Sequence, residues 1–446
     1  MAEDHDYSQS NVPQEQRRGF WAMFVVMLGF TFFSASMWTG TTLGNGLTVS
    51  KFFLAVLLGN LILGAYTSAL AYMASSTGLS VHLLARRSFG KRGSALPSAI
   101  LAITQIGWFG VGVAMCAFPI VTYLKEKGVE CNIWIPVIIS GILFTTSAYF
   151  GIKALTIVSL VAVPAIAIGG GFSALKVFCD NPDAWNTLKN FTPSGDSALT
   201  LSAAVALTIG SFISGGTCTP DFVRFAKDRK IAVSTTAISF FIGNSLMFLF
   251  GAVGGMFYKT NDISNVLVAQ GLLIPGIIVL TFNIWTTNDN ALYTSGLCLA
   301  NITGFPKKYL VLICGTLGTI FAVTLYNNFC GYLNILNTFI PPVGAVLMAD
   351  FFVVRRKNIK NNAVPGKGIP AVLAWACGTI VANFVKFGFT AINGMVVAFI
   401  LYVIFVKAFG GLPAAEATAE EAPAEEAPVK VAQPSNEEEA KKEEVK

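Results

Sequence analysis

The chain has 446 residues, of which 54% are hydrophobic and only 12% are charged, and its mean hydropathy is +0.64. A soluble domain carries about 25% charged residues, so this composition excludes a water-soluble enzyme and a nucleic-acid binder. It indicates an all-α polytopic membrane protein. Each span needs about 20 apolar residues, which leaves room for roughly a dozen spans and little else.

Twelve apolar stretches follow a polar N-terminus that lacks the features of a cleavable signal. They lie at 20–46, 51–74, 95–122, 132–151, 154–178, 198–219, 231–257, 266–300, 309–326, 328–350, 369–388 and 390–409. An even number of spans puts both termini on the same side. Nineteen Lys and Arg residues fall on that side and seven on the other, apart from the C-terminal tail. This bias is typical of cytoplasmic loops, so we expect both termini in the cytoplasm.

A short pattern recurs in the first and sixth spans. Thr31–Ser36 and Ser211–Gly216 share the order hydroxyl, Phe, apolar, Ser, small, small at an offset of 180 residues. Because five spans separate the two runs, the copies would cross the membrane in opposite directions, as in an inverted-topology repeat.

Both runs are rich in hydroxyl-bearing and small residues, which do not favour a helix in the middle of the membrane. Gly215-Gly216 followed by Pro220 would loosen span 6. Irregular backbone at membrane depth lines a cavity or is buried in protein. We therefore expect helices 1 and 6 to be broken, with a substrate site between them. Helix packing through small residues is the alternative.

The titratable residues offer few candidates for catalysis or for proton transfer across the membrane. Of the fourteen acids outside the tail, only Asp289 falls deep within a span, and His82 lies at the inner end of span 2. No chain of titratable groups crosses the membrane, as a proton relay requires, and no nucleophile–base pair points to catalysis. The eight cysteines show no C-x-x-C spacing. We expect a protein that is not an enzyme and has no cofactor.

Span 8 contains the most polar stretch of the core, Asn283–Asn290. Asn283 precedes Thr286 by three residues and Thr287 by four, so the three share a helix face. Sites for Mg²⁺ and Ca²⁺ usually recruit carboxylates. A neutral cage of hydroxyls and freed carbonyls suits a monovalent cation such as Na⁺, and interhelical hydrogen bonds without an ion are the alternative.

Span 3 carries Gln105 and Trp108 near the middle of the membrane. A Trp at this depth is unusual, because membrane Trp prefers the interfaces. Trp108 is therefore either a stacking wall for a flat ligand or a packed core residue.

Five stretches resemble the cytosine permease branch of the nucleobase–cation symporter family, over roughly 15–410. They are Gly29–Gly40, Thr104–Gly110, Gly210–Ser214, Asp221–Phe225 and Asn283–Asn290. The resemblance implies a LeuT-type fold in the bacterial inner membrane, with two inverted five-span repeats and two further C-terminal helices.

The resulting division of the chain has five parts. They are a cytoplasmic N-terminal tail (1–19), a first repeat (20–178), a second repeat (198–350), spans 11 and 12 (369–409) and an acidic cytoplasmic tail (412–446). The acidic tail is rich in Ala, Glu, Pro and Lys without aromatic residues, so we expect it to be disordered. It departs from the family pattern but lies outside the transport core.

The resemblance also implies import of cytosine coupled to Na⁺ by alternating access. Carried over position by position, it places Trp108 and Phe212 on the two faces of the pyrimidine and Ser214 and Asn288 at its edge. Nearby would lie Gln105, Phe33 and Ser34. The implied Na⁺ ligands are the carbonyls of Gly29, Phe32 and Asn283 and the hydroxyls of Thr286 and Thr287. The partners are then cytosine, Na⁺ and the lipid bilayer, with no nucleic acid and no obligate protein partner.

Some questions stay open at this point. An amide at position 288 fits cytosine, but rotated by a half turn it fits uracil, so a neighbour must hold its orientation; Asp289 and Ser214 are the candidates. Asp289 also keeps open a proton-coupled permease. A Na⁺ symporter for a purine, a hydantoin or an amino acid is a further alternative, and a channel or receptor is another.

Overall fold

The computed structural model describes residues 7, 10–150, 152–356, 364–365, 368–385 and 387–409, with the side chains of 150–161 left out. This part of the chain is almost entirely helical, as the composition predicts. The predicted disordered tail at 412–446 lies outside the described residues.

The first predicted repeat forms seven helices. They are α1 (Phe20–Thr31), α2 (Ser34–Gly46), α3 (Val49–Thr77), α4 (Val81–Gly93), α5 (Ala95–Glu126), α6 (Trp134–Phe150) and α7 (Ile152–Asp180). The helices α1 and α2 together make span 1 and are bent by 49° at their junction, so the predicted break in the first helix is confirmed. The short helix α4 was not predicted, because it is too polar to register as a span.

The rest of the described chain is also helical. Its elements are α8 (Ala184–Lys189), α9 (Leu201–Thr217), α10 (Thr219–Val223), α11 (Arg229–Ser239), a π-helical segment (Phe240–Asn244), α12 (Ser245–Tyr258), α13 (Ile263–Ala269), α14 (Leu273–Thr303), α15 (Lys307–Asn327), α16 (Phe329–Phe339), α17 (Pro341–Ala349), a second π-helical segment (Asp350–Val354), α18 (Ile369–Phe384) and α19 (Thr390–Ala408).

The interruption of span 6 lies after the recurring run, not within it. The helix α9 is continuous through Ser211–Gly216, and the chain departs from it only at Cys218, with φ −82° and ψ 0°. The Thr217 hydroxyl donates to the Ile213 carbonyl at 2.8 Å, so the polar side chain is satisfied inside the helix. Span 6 is therefore broken as predicted, between Gly216 and Pro220, while the recurring run itself stays helical.

Span 8 begins later than predicted. The predicted start at 266 falls within α13, and the chain turns at Gly271, whose φ is +67°, before α14 begins at Leu273. Residues with a side chain rarely adopt this conformation. Apolar composition continues across the turn, which is why hydropathy alone merged the two helices.

Seven of the described helical segments are long and apolar enough to cross a membrane, and the bent pair α1–α2 would make eight. Shorter apolar helices are α6, α9 and α18. The helix α14 has 31 residues but carries the polar stretch of span 8. The exact number of twelve spans stays a prediction.

Spans of the first half pack against spans of the second half in reciprocal pairs. Span 1 packs against span 7 through α2 and α12, and span 2 packs against span 6 through α3 and α9. Span 3 packs against span 8 through α5 and α14, along a long interface. Exchanging spans 1–5 with spans 6–10 converts each pair into an existing pair, which is the pattern that an inverted repeat predicts. The repeat boundaries at 20–178 and 198–350 stay predictions.

Glycines let α2 and α12 approach along their backbones. Gly40 and Gly44 on α2 face α12, and Gly251 and Gly255 on α12 face α2. Small residues four apart are typical of closely packed helix pairs in membranes. A Cβ at Gly251 would collide with the carbonyl oxygen of Met37, which is backbone and cannot turn away. This contact fixes the half of span 1 that follows the break.

We predict that Gly251→Ala destabilises the protein by about 1–3 kcal/mol, the usual cost of overpacking. The measurement is the melting temperature of the purified protein in detergent. Gly331→Ala in α16 is the matched control, because nothing lies within 4 Å of a Cβ at that position and Ala favours a helix over Gly. Equal melting temperatures for the two variants would contradict the close approach.

Candidate functional site

A small cavity of about 50 Å³ lies where spans 1, 3, 6 and 8 meet. Of the predicted substrate residues, five line it: Phe33, Gln105, Trp108, Phe212 and Asn288. The remaining lining residues are Phe30, Ser211, Gly215, Cys218, Phe222, Thr287, Asn290, Ala291 and Thr294. The cavity therefore forms at the predicted place, between spans 1 and 6.

The break in span 1 is a tight turn centred on Phe32. This residue has φ −79° and ψ 76°, the geometry of an inverse γ-turn, and the Phe33 N–H donates to the Thr31 carbonyl at 3.0 Å. In an uninterrupted helix that N–H would bond to the carbonyl of Gly29. The turn therefore removes the helical partner of the Gly29 carbonyl.

One side chain from span 8 holds both sides of this break. Asn283 Nδ2 donates to the Phe32 carbonyl at 2.7 Å, and Asn283 Oδ1 accepts from the Ser34 N–H at 2.9 Å. All three residues are buried. From the sequence we predicted only the carbonyl of Asn283 as a ligand and no role for its side chain. The contact joins residues about 250 positions apart, so no local pattern could have indicated it.

The other predicted Na⁺ residues lie around this junction. The hydroxyls of Thr286 and Thr287 both donate to the Asn283 carbonyl, at 2.8 and 3.2 Å. Gly29 lies on α1 before the turn, and a Cβ there would sit 3.3 Å from Val163 of α7. These oxygens are neutral, and no group of three His, Cys, Asp or Glu residues that could hold a metal occurs in the described part of the chain.

Two aromatic walls of the cavity are set by edge-to-face contacts. The rings of Trp108 and Phe212 each contact the Phe33 ring, at centroid distances of 5.3 and 6.2 Å and interplanar angles of 69° and 89°. Tyr332 supports Trp108 at 5.4 Å, and Phe240 supports Phe212 at 5.0 Å. Edge-to-face pairs are a preferred arrangement of aromatic rings, so both walls are held in place by neighbours.

Ser214 and Ser34 do not line the cavity. Ser214 is fully buried, and its hydroxyl accepts from Gln105 Nε2 at 2.9 Å and bonds with the Thr104 hydroxyl at 2.8 Å. It thus lies behind Gln105 and orients its amide. Ser34 is also buried, and its Oγ has no hydrogen-bond partner among the described residues.

Asn288 is oriented by a backbone carbonyl of span 3. Its Nδ2 donates to the Phe109 carbonyl at 3.2 Å, and Gly112 leaves space for its Oδ1, with which a Cβ at that position would collide. The expectation that Asp289 or Ser214 holds this amide is wrong. Ser214 is engaged by Gln105, and Asp289 points to a different neighbour.

Asp289 contacts span 4 and does not line the cavity. Its Oδ1 accepts from the Ser147 hydroxyl at 2.7 Å, and the Ser147 oxygen in turn accepts from Trp285 Nε1 at 2.7 Å. The carboxylate thus belongs to a polar cluster between α6 and α14. Its predicted second role, in coupling, stays a prediction.

An aromatic cluster closes one side of the site. Phe329 contacts Trp108 at 6.2 Å and stacks on Trp38 at 4.1 Å, and Tyr326 stacks on Phe118 at 4.0 Å. None of these residues was assigned a role in the site from the sequence. The lining residue Phe222 lies on α10, close in sequence to Phe225, whose carbonyl accepts from the Arg18 N–H.

Comparisons with known proteins identify relatives of this chain. Residues 11–404 match the family described as permeases for cytosine/purines, uracil, thiamine and allantoin. The chain is 50% identical over 406 residues to the cytosine permease of Escherichia coli strain K12, which covers 91% of this chain and 95% of that relative.

Two solved structures show the same fold. One is Mhp1, a nucleobase-cation-symport-1 family transporter, in a closed conformation with bromovinylhydantoin bound, with a TM-score of 0.75 at 18% identity over 90% of this chain and 94% of that chain. The other is Mhp1 in an inward-facing conformation, with a TM-score of 0.77 at 17% identity over 90% and 93%. The predicted all-α, LeuT-type fold is confirmed.

The match spans nearly all of the described chain, includes the cavity and its walls, and confirms the resemblance noted from the five sequence stretches. The chain belongs to the family of permeases for cytosine/purines, uracil, thiamine and allantoin.

Proposed function

We propose that this protein imports cytosine across the bacterial inner membrane, coupled to Na⁺ by alternating access, with both termini in the cytoplasm. The observation that carries the proposal is a single cavity with two aromatic walls and two oriented amides, next to neutral oxygens at the break of span 1. The 50% identical cytosine permease of Escherichia coli supports the choice of substrate.

The cavity suits a neutral, flat, polar ring. Stacking of a base on an aromatic side chain contributes about 1–3 kcal/mol, and Trp108 and Phe212 offer such surfaces. Stacking does not distinguish cytosine from uracil, so the amides of Gln105 and Asn288 would read the edge of the ring. An amino acid would instead require a charge or a freed helix end for its carboxylate.

The Na⁺ site would join the two sides of the break. In this proposal the carbonyls of Gly29, Phe32 and Asn283 and the hydroxyls of Thr286 and Thr287 bind the ion. Phe33 follows directly after Phe32, one of these ligands, and lines the cavity. Ion binding would therefore order the substrate wall, and by linkage each ligand would tighten the other by the same factor.

A proton-coupled permease is the second candidate, since Asp289 is a carboxylic acid buried in mid-span. Its contact with Ser147 points it toward α6 rather than into the cavity. This placement favours Na⁺ as the coupling ion.

The deciding experiment is uptake of radiolabelled cytosine into proteoliposomes, with and without an inward Na⁺ gradient at constant pH. We expect uptake that Na⁺ drives and that unlabelled cytosine, but not uracil, competes. Uptake that ignores Na⁺ and follows a pH gradient would move the coupling role to Asp289. Absence of cytosine uptake under both gradients would contradict the proposed substrate.

We predict that Asn288→Asp nearly abolishes cytosine uptake, because a carboxylate would face the Phe109 carbonyl and lose the amide donors. The matched control is Asn301→Asp, on the same helix. The Asn301 amide also bonds to α5, through the Ser98 hydroxyl at 2.9 Å, but does not line the cavity. Uptake and binding of cytosine would be measured for both variants. High-affinity uptake by Asn288→Asp would refute the assignment.

We predict that Thr287→Ala weakens the Na⁺ dependence of cytosine binding by about tenfold, which corresponds to about 1.4 kcal/mol of lost ion binding. Thr303→Ala is the matched control, because its hydroxyl makes the same kind of bond within α14, to the Leu299 carbonyl at 2.8 Å, far from the break. Cytosine binding would be titrated with Na⁺ for each variant. An unchanged Na⁺ dependence in Thr287→Ala would count against the proposed ion site.

A further inference from the structure

A second cleft lies on the face of the molecule that carries the N-terminal segment. It is wide and open, with a volume of about 590 Å³, and forms where the segment before α1, the end of α3 and the start of α11 meet. Four cationic residues line it, Arg17, Lys227, Arg229 and Lys230, together with one acid, Asp228. None of them belongs to the transport cavity.

The backbone ties the two main parts of this cleft together. The Arg18 N–H donates to the Phe225 carbonyl at 2.6 Å, and the Lys227 N–H donates to the Arg18 carbonyl at 2.9 Å. This short parallel bridge holds the segment before α1 against the loop before α11. The cations from both segments therefore keep a defined spacing.

Two of the cations are held by neutral partners. Arg17 donates to the Ser75 carbonyl at 2.7 Å and, through Nε and Nη2, to the Val12 carbonyl at 3.3 and 3.2 Å, which leaves one hydrogen on each terminal nitrogen for a ligand. Arg229 donates to the Tyr72 hydroxyl at 2.9 Å, with its guanidinium 5.0 Å above the Tyr72 ring. Neither is within ion-pair distance of a carboxylate in the described part of the chain. Asp228 uses Oδ1 to accept the Ile231 N–H at the start of α11, so the cleft keeps a net positive charge on positioned groups.

The residues next to the cleft are typical of a membrane surface. Trp21, at the start of α1, is 75% exposed, and Trp prefers the membrane–water interface. Exposed apolar side chains continue from there along both neighbouring helices, Val25 on α1 and Ile238 on α11. A ligand in the cleft would thus have charged groups above it and lipid-facing apolar surface below.

We propose that this cleft binds the phosphate group of an anionic phospholipid, with its acyl chains along α1 and α11. Guanidinium groups bind phosphate oxygens in a bidentate manner, and basic pockets between spans on the cytoplasmic side are suited to lipid headgroups. Arg17 and Arg229 are the positioned ligands, and Lys227 and Lys230 add charge at the rim. The bound lipid would join the base of span 1 to the base of span 7, independently of what the transporter carries.

The test uses the purified full-length chain in neutral detergent. Its melting temperature is measured with phosphatidylglycerol, with phosphatidylcholine of the same acyl chains, and with inorganic phosphate at the same concentration. We expect phosphatidylglycerol to raise the melting temperature by several degrees more than phosphatidylcholine, and inorganic phosphate not to reproduce the shift.

Two double variants test whether the phosphatidylglycerol shift arises at the cleft. The double variant Lys227→Gln/Lys230→Gln changes two exposed side chains of the cleft, and we expect it to lose at least half of the phosphatidylglycerol shift. The control Lys125→Gln/Lys127→Gln removes two lysines at the end of α5, outside the cleft, and should keep the shift. Equal responses to the two lipids, an equal response to inorganic phosphate, or a full shift in Lys227→Gln/Lys230→Gln would each overturn the proposal.

Discussion

Span 1 can break at membrane depth because Asn283 replaces hydrogen bonds that the break removes. Unsatisfied peptide groups in hydrocarbon cost several kcal/mol each, and a turn at Phe32 exposes groups on both of its sides. A single amide from span 8 satisfies one acceptor and one donor, the Phe32 carbonyl and the Ser34 N–H. The position of Phe33 in the cavity wall and the release of the Gly29 carbonyl both depend on this arrangement.

The break is stable as a local feature because rigid helix pairs lie on either side of it. Glycines allow α2 to contact α12 along the backbone, and α14 is held by its long interface with α5. The helix α1 instead packs mainly on α11 and the adjoining π-helical segment. A few residues at an element boundary can absorb a large conformational change. In the proposed transport cycle, movement at Phe32 and Phe33 would change the orientation of α1 while α2 and α14 keep their places.

Composition and hydropathy predicted the helices because every membrane span needs about 20 apolar residues. The density of hydroxyls and small residues also placed the break in span 1, since such a run is costly in a lipid-facing helix. In span 6 the chain breaks just after the recurring run, between Gly216 and Pro220. The turn at Gly271 was not predicted, because a change of backbone direction leaves no trace in hydropathy. The roles of Asn283 and Phe329 depend on contacts between distant parts of the chain, which no local pattern encodes.

The orientation of the polar groups in the cavity was also not predictable from the sequence. The residue types of Gln105 and Asn288 were sufficient to predict a site that reads hydrogen bonds, but an amide has two opposite orientations. The structure resolves this ambiguity with groups behind the wall: Ser214 accepts from Gln105 Nε2, and the Phe109 carbonyl accepts from Asn288 Nδ2. Each amide nitrogen thus donates at least one of its hydrogens to the protein, which holds the orientation of the amide. In the proposed site, an exocyclic amino group of the ligand would donate to an amide oxygen. Selectivity for an amino-substituted base would therefore arise from partners that never touch the substrate.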